Sequence, residues 1–430
     1  LHVMKRTREL MVAGLLLGAV LGVCAATAQA GTVYWVTDGG GDYGTAGNWS
    51  TGALPGASDT AVFNQDGLNG ATTVTSNSSS RSILGFVFNN TGTTALHSVS
   101  GTTRSFIIGS GGVTVNSGAG AVTLGDPAGA GALDSYFKLD ADQTWANDSS
   151  SLLTVAYTAG STAAIMNNSS TTPRTLTLAG SGSGGITVAG RITDNGVGTT
   201  AVTINMSGSG EVTFTTASSS SSHSYTGATT VQAGTLKLAL ASSTNNIANS
   251  SSILVGDTAA HSGAVLDVTG LSNGTIVLGD GQTIGGHGTI TGGVDVANGT
   301  LAPGASVGTL TVGGDLTFQS GSQATVEVNG WSAGQYDLTQ GTAAAGEDVA
   351  FAGTLVINFA SDFATVGSAK IFDFDSYSGA FDVKTFNNLA TGYTASFDDT
   401  TGVLTVIPEP ASMTLIALGG AWVMARRRRR

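Results

Sequence analysis

Residues 224–238 read SYTGATTVQAGTLKL. Apolar and Thr or polar positions alternate, and Gly227 and Gly234 punctuate the run. A period of two belongs to half-buried strands, because successive side chains leave a strand on opposite faces. The same style surrounds it: TLTL at 175–178, GITV at 185–188, EVTFT at 211–215 and TLKL at 235–238. Further on come AVLDV at 264–268, GTIVL at 274–278, GVDV at 293–296 and GTLTV at 308–312. Turns rich in Gly, Asn, Asp and Ser separate these segments, and residues 31–405 hold no capped helical stripe.

Strands of four or five residues cannot build a core alone. A β-sandwich needs a bounded core near ~100 residues, whereas this pattern continues unchanged for much longer. Stacked coils solve the problem, since each buries its apolar face against the next. Gly and Asn at the corners supply positive φ. The fold expected is therefore all-β, a parallel β-helix or β-solenoid. Ten or so coils at about 4.8 Å each would make a rod on the order of 50 Å long.

Composition agrees. Of 430 residues, 64 are Gly and only 10% are charged, against 41% hydrophobic; charge is usually near a quarter in globular chains. Two terminal clusters, Lys5, Arg6, Arg8 and Glu9 with Arg426, Arg427, Arg428, Arg429 and Arg430, together carry +7. The formal charge of −12 thus becomes −19 for the rest. Nucleic acid and anionic lipid are recognised by clustered Lys and Arg. Nucleic-acid binding is excluded for this body.

The N-terminus reads as a signal peptide over residues 1–30. A basic start, an apolar run from Leu10 to Val23 and the small residues Ala28 and Ala30 fit signal-peptidase recognition, leaving Gly31 first in the mature chain. Cys24 leaves with it, and Val23 is too large for the position before a lipidated Cys. Disulfides then contribute nothing to the mature protein.

At the other end, residues 406–430 read VIPEPASMTLIALGGAWVMARRRRR. The apolar part, 411–425, is short of the roughly 20 residues that cross a bilayer comfortably. Arginines beyond it would be held on the cytoplasmic face. Pro408 and Pro410 stop helix and strand, leaving Glu409 extended and exposed. The physical reading is a transient membrane anchor with an accessible processing point. This order resembles the PEP-CTERM sorting signal: Pro408, Glu409 and Pro410, a short apolar stretch, then Arg426 to Arg430. The resemblance implies an exported protein of a Gram-negative bacterium, recognised by an exosortase-type membrane protease and released or displayed at the cell surface.

Residues 224–238 are also similar to the autotransporter-associated β-strand repeat, whose core is Y-x-G-x-T-x-V-x-x-G-T-L. Its downstream partner is matched by GHGTI at 286–290 and by residues 299–312. That resemblance spans 224–318 and implies an adhesin-like parallel β-helix; an exopolysaccharide or surface glycan is the ligand class it suggests. The organisation expected is a signal peptide (1–30), an N-terminal cap (31–65), a β-solenoid (66–319), a C-terminal β cap (320–405) and the sorting signal (406–430). Trp35 and Trp49 are read as capping the first coil, with carbohydrate stacking as the alternative.

Chemistry is sparse. Gly-x-Ser-x-Gly occurs at 270–274, 304–308 and 330–334, but a nucleophile elbow needs a following helix and a His partner, so all three are read as turns. His97, His223, His261 and His287 lack the spacing that places two ligands on a helix face. Asp373, Asp375, Asp398 and Asp399 read as solvated turn acids. No catalytic, metal or cofactor residue is nominated. The function expected is a non-enzymatic structural or adhesive rod; the alternative is a lyase or hydrolase acting on polysaccharide through a groove on the coils.

Overall fold

Alternation in the sequence becomes facing in three dimensions. In the strand Arg174–Gly180, Leu176 and Leu178 are fully buried while Thr175 and Thr177 look outward. The computed structural model describes residues 31–63, 70–77, 79–98, 104–125, 135–156, 163–215, 222–342 and 346–409. Those residues form a parallel β-solenoid with three walls. Helix is confined, among them, to three 3₁₀ turns of three residues: Ala46–Asn48, Ala259–His261 and Ser272–Gly274.

One wall is a 13-stranded sheet running from Gly40–Asp42 to Phe372–Asp373. At about 4.8 Å between neighbours, its length is on the order of 58 Å. A 17-stranded sheet supplies the second wall and, in the N-terminal half, bends to supply the third. The long strand Arg104–Val115 shows the bend: its first half pairs with Ser135–Leu139, its second with Gln143–Asn147. After Thr275–Leu278 a separate 5-stranded sheet takes over the third wall. Between these stretches the third wall passes through turns. Ser224 N–H donates to Ile192 O (3.0 Å), His223 N–H to Asn246 O (2.9 Å), and Val277 N–H to Thr244 O (3.0 Å). Coil length varies along the rod: Arg174 pairs with Thr200, Thr283 with Thr300 and Gln323 with Thr354.

The repeat-like stretch explains itself locally. Tyr225 is buried, and its hydroxyl shares a hydrogen bond with Thr229 Oγ1 (2.7 Å), which bonds Ser250 Oγ (2.8 Å). Val231, Leu236 and Leu238 fill the core. Inward-facing Asn residues satisfy corner carbonyls that coiling would strand away from water. Asn147 Nδ2 donates to Ser151 O (2.8 Å) and Gly185 O (2.6 Å); Asn167 Nδ2 donates to Thr172 O (2.9 Å) and Thr199 O (3.0 Å). Outside, Thr144, Thr177, Thr203 and Thr230 lie in register on one wall, and Thr123, Thr154, Thr187 and Thr213 on another.

Both caps are narrower than the sequence suggested. Coiling starts at Thr32–Trp35, which pairs in parallel with Thr60–Phe63, and continues to Val383–Leu389. The ladder therefore enters both 31–65 and 320–405, because apolar alternation persists there among the aromatics. The free edge of the first rung is covered by residues 48–50: Val36 N–H donates to Asn48 O (2.9 Å) and Ser50 N–H to Tyr34 O (2.9 Å). Trp35 and Trp49 meet edge to face at 5.1 Å and are 1% and 2% exposed. Neither offers a ring face to a sugar, which overturns the stacking alternative.

Candidate sorting site

The C-terminal end is closed by an antiparallel sheet of Gly367–Lys370, Tyr393–Asp398 and Val403–Pro408. Alternation decides its facing: Leu404 and Val406 are fully buried with Phe397 nearly so, while Ile407 points outward. Two features fasten this lid to the last coils. Ile371 and Phe372 donate their N–H groups to Gly402 O (2.9 and 3.3 Å), and Lys384 Nζ lies 2.5 Å from Asp399 Oδ2.

The final strand ends on the expected motif. Pro408 pairs with Tyr393 as its last residue, and proline, lacking an N–H, suits a strand terminus. Glu409 N–H then donates to Gly392 O (2.8 Å), so Glu409 is fixed to the body while its side chain stays exposed. Pro410, the stretch 411–425 and Arg426 to Arg430 lie outside the described residues, as do Ala28 and Ala30.

A family model described as the PEP-CTERM protein-sorting motif matches residues 406–430. The chain carries that sorting motif. It marks an exported, envelope-associated protein handled by an exosortase-type system. No curated protein and no solved structure matches the chain.

Elsewhere the structure shows what other candidate groups are doing. No α-helix follows any Gly-x-Ser-x-Gly stretch among the described residues; Gly274, Gly304 and Gly334 sit at positive φ in turns. Ser306 is exposed and, among the described residues, its hydroxyl has no hydrogen bond. Asp373 pairs with Lys370 (2.6 Å), Asp375 accepts Gly346 N–H (2.6 Å) and Asp398 accepts the Thr400 hydroxyl (2.7 Å). These acids hold turns. His261 bonds Asp257, and His287 Nδ1 lies 3.2 Å from Gly256 O. Among the described residues no group of three or more His, Cys, Asp or Glu is placed to hold a metal ion.

His223 and Asp337 are buried titratable groups that composition could not reveal. His223 Nδ1 accepts Ile192 N–H (3.1 Å), and burial, aided by Arg191, pushes its imidazole down to about 3. Asp337 is 2% exposed and accepts Gly308 N–H (2.8 Å) and Glu327 N–H (2.7 Å). Burial pushes its carboxyl up to about 7 against those two hydrogen bonds, and the Glu327 charge adds to the rise. Asp337 and Glu327 both line a cleft of about 160 Å³ beside the Gly304 corner. The sequence signal for Asp337 is slight: one acid directly before the apolar start of a strand.

Proposed function

We propose that this is an exported, non-enzymatic β-solenoid that serves as a structural or adhesive rod at the cell surface or in the extracellular matrix of a Gram-negative bacterium. An exosortase-type protease would remove its C-terminal tail after transient anchoring through 411–425. The observation that carries the reading is the sorting motif at 406–430, whose exposed Glu409 follows directly on the last strand of a closed rod. The long coil surface, sparse in charge though net acidic, presents Thr columns that suit lateral contact with hydroxyl-rich matrix polymers, and the likeness of 224–318 to adhesin passenger repeats points the same way. Mass spectrometry of the natively secreted protein tests processing. Gly31 at the N-terminus and absence of Arg426 to Arg430 are expected; an intact arginine tail on mature surface protein would argue for a plain membrane anchor.

A second reading, a polysaccharide-active enzyme, is favoured by one observation: a carboxyl raised to about 7 shares a cleft with a second carboxylate. Against it, both Asp337 oxygens already hold backbone N–H groups. Release of reducing ends or unsaturated sugars from a glycan panel, abolished by Glu327→Gln, would replace the first reading with this one.

A further inference from the structure

The rim of the lid beside the sorting motif carries apolar side chains that nothing in the fold covers. Val366 is 52% exposed and Ile407 47%. The pairing of Gly367 with Val406, carried one residue further, sets Val366 level with Ile407 on the outward face. At the same rim the half-buried Trp331 donates its indole N–H to Thr365 O (3.0 Å) and packs against Gly367. The other tryptophans of the described residues, Trp35, Trp49 and Trp145, are buried.

The tether fixes what this rim must face. Glu409 is hydrogen-bonded to the body, and the apolar tail begins at Ala411. Two residues span at most about 7 Å, comparable to the interfacial layer of one leaflet, roughly 5–8 Å thick. We infer that, while the tail is still attached, this rim rests in the membrane interface, with Val366, Ile407 and the Trp331 ring against lipid. The inference rests on the proposed anchoring by 411–425. A half-buried indole with its N–H engaged is suited to that layer. Asp362 and Glu409, both exposed at the same rim, disfavour an anionic surface, so the occupant is a zwitterionic lipid interface.

The test uses the full chain carrying Trp422→Phe, which removes the tail's own indole, mixed with phosphatidylcholine vesicles. Flotation reads anchoring by the tail, and quenching by lipids brominated on the acyl chain reads the rim. Expected are flotation, loss of the Trp331 share of the emission, no such loss when Trp331→Phe is added, and weaker quenching with Val366→Asp. Flotation with undiminished emission would overturn the inference and leave the anchor standing. Failure to float would overturn both. Undiminished emission combined with slower tail removal in Val366→Asp would assign the rim to the protease and overturn lipid contact.

Discussion

Replacing Gly304 by Val probes the corner on which the coil closes. Gly304 sits at φ +76, and a Cβ there would lie 1.7 Å from Ser306 O and 2.9 Å from Gly308 N. Both obstacles are backbone, so no rotamer change relieves them. A β-branched residue at positive φ costs about 1–3 kcal/mol, and forcing the 304–308 loop outward adds about 1–3 kcal/mol of overpacking. The loop cannot open freely, because Gly308 N–H is held by buried Asp337 and Gly304 N–H by Gly286 O (2.9 Å). A total of about 2–6 kcal/mol follows, or roughly 3–8 °C in Tm if the rod melts as one unit. Gly279→Ala is the control: nothing lies within 4 Å of its Cβ, so its melt should match the parent. The assay is thermal and urea unfolding followed by far-UV circular dichroism. If Gly304→Val melts with the parent while Gly279→Ala does too, the corner is not where the steric argument puts it.

Ser306→Ala should move the melt by less than about 0.5 kcal/mol, since the hydroxyl is exposed and makes no hydrogen bond among the described residues; loss of an esterase or glycosidase activity in that variant would restore Ser306 as a nucleophile. His223 is depressed in the fold, so its contribution is complete above the unfolded value near 6.5 and is lost as pH falls towards about 3. His223→Gln, which keeps an acceptor for Ile192 N–H, should flatten that acid limb in a series of urea midpoints. Asp337 has the opposite sign: its contribution is complete below the unfolded value of 3.8 and is lost as pH rises through about 7. Asp337→Asn should remove that slope between about pH 4 and 7 while lowering stability throughout, because Gly308 or Glu327 N–H loses its acceptor; an unchanged slope would mean another group titrates. Circular dichroism of the processed protein should show helix far below a fifth of residues, and a larger value would contradict the coil.

The coil was legible because its determinants are local. Each quoted segment contains a strand: EVTFT holds Val212–Phe214, AVLDV holds Val265–Asp267, and GTLTV holds Thr309–Val312. Positive φ at Gly304, directly after the strand Thr300–Pro303, was legible for the same reason. What escaped depends on partners distant in sequence. Trp35 reads as a cap residue until its pairing with Phe63 shows a first rung. Asp337 reads as a solvated acid until Gly308, 29 residues earlier, turns out to need its oxygen. The sorting motif was readable as composition in order, but its splice onto the folded lid was not, because Gly392 lies across a hairpin from Glu409.

The third wall, where it runs through turns between Arg191–Thr193 and Thr275–Leu278, gives the rod a mechanical grain. From Arg81–Phe88 to Arg191–Thr193, and again after Thr275–Leu278, neighbouring coils are joined by three strand ladders in parallel; across this stretch, among the described residues, two ladders and scattered bonds from Ser224, His223 and Val277 carry the join. Tension along the axis loads successive joins in series, so the least-bonded one yields first. Stretched between its ends in an optical trap, the molecule should lengthen initially by release of the coils around 194–274, with the coils on either side still closed. A filament built this way gives under shear at a fixed interior stretch and keeps the three-laddered coils on either side intact, so it can recoil when the load is removed.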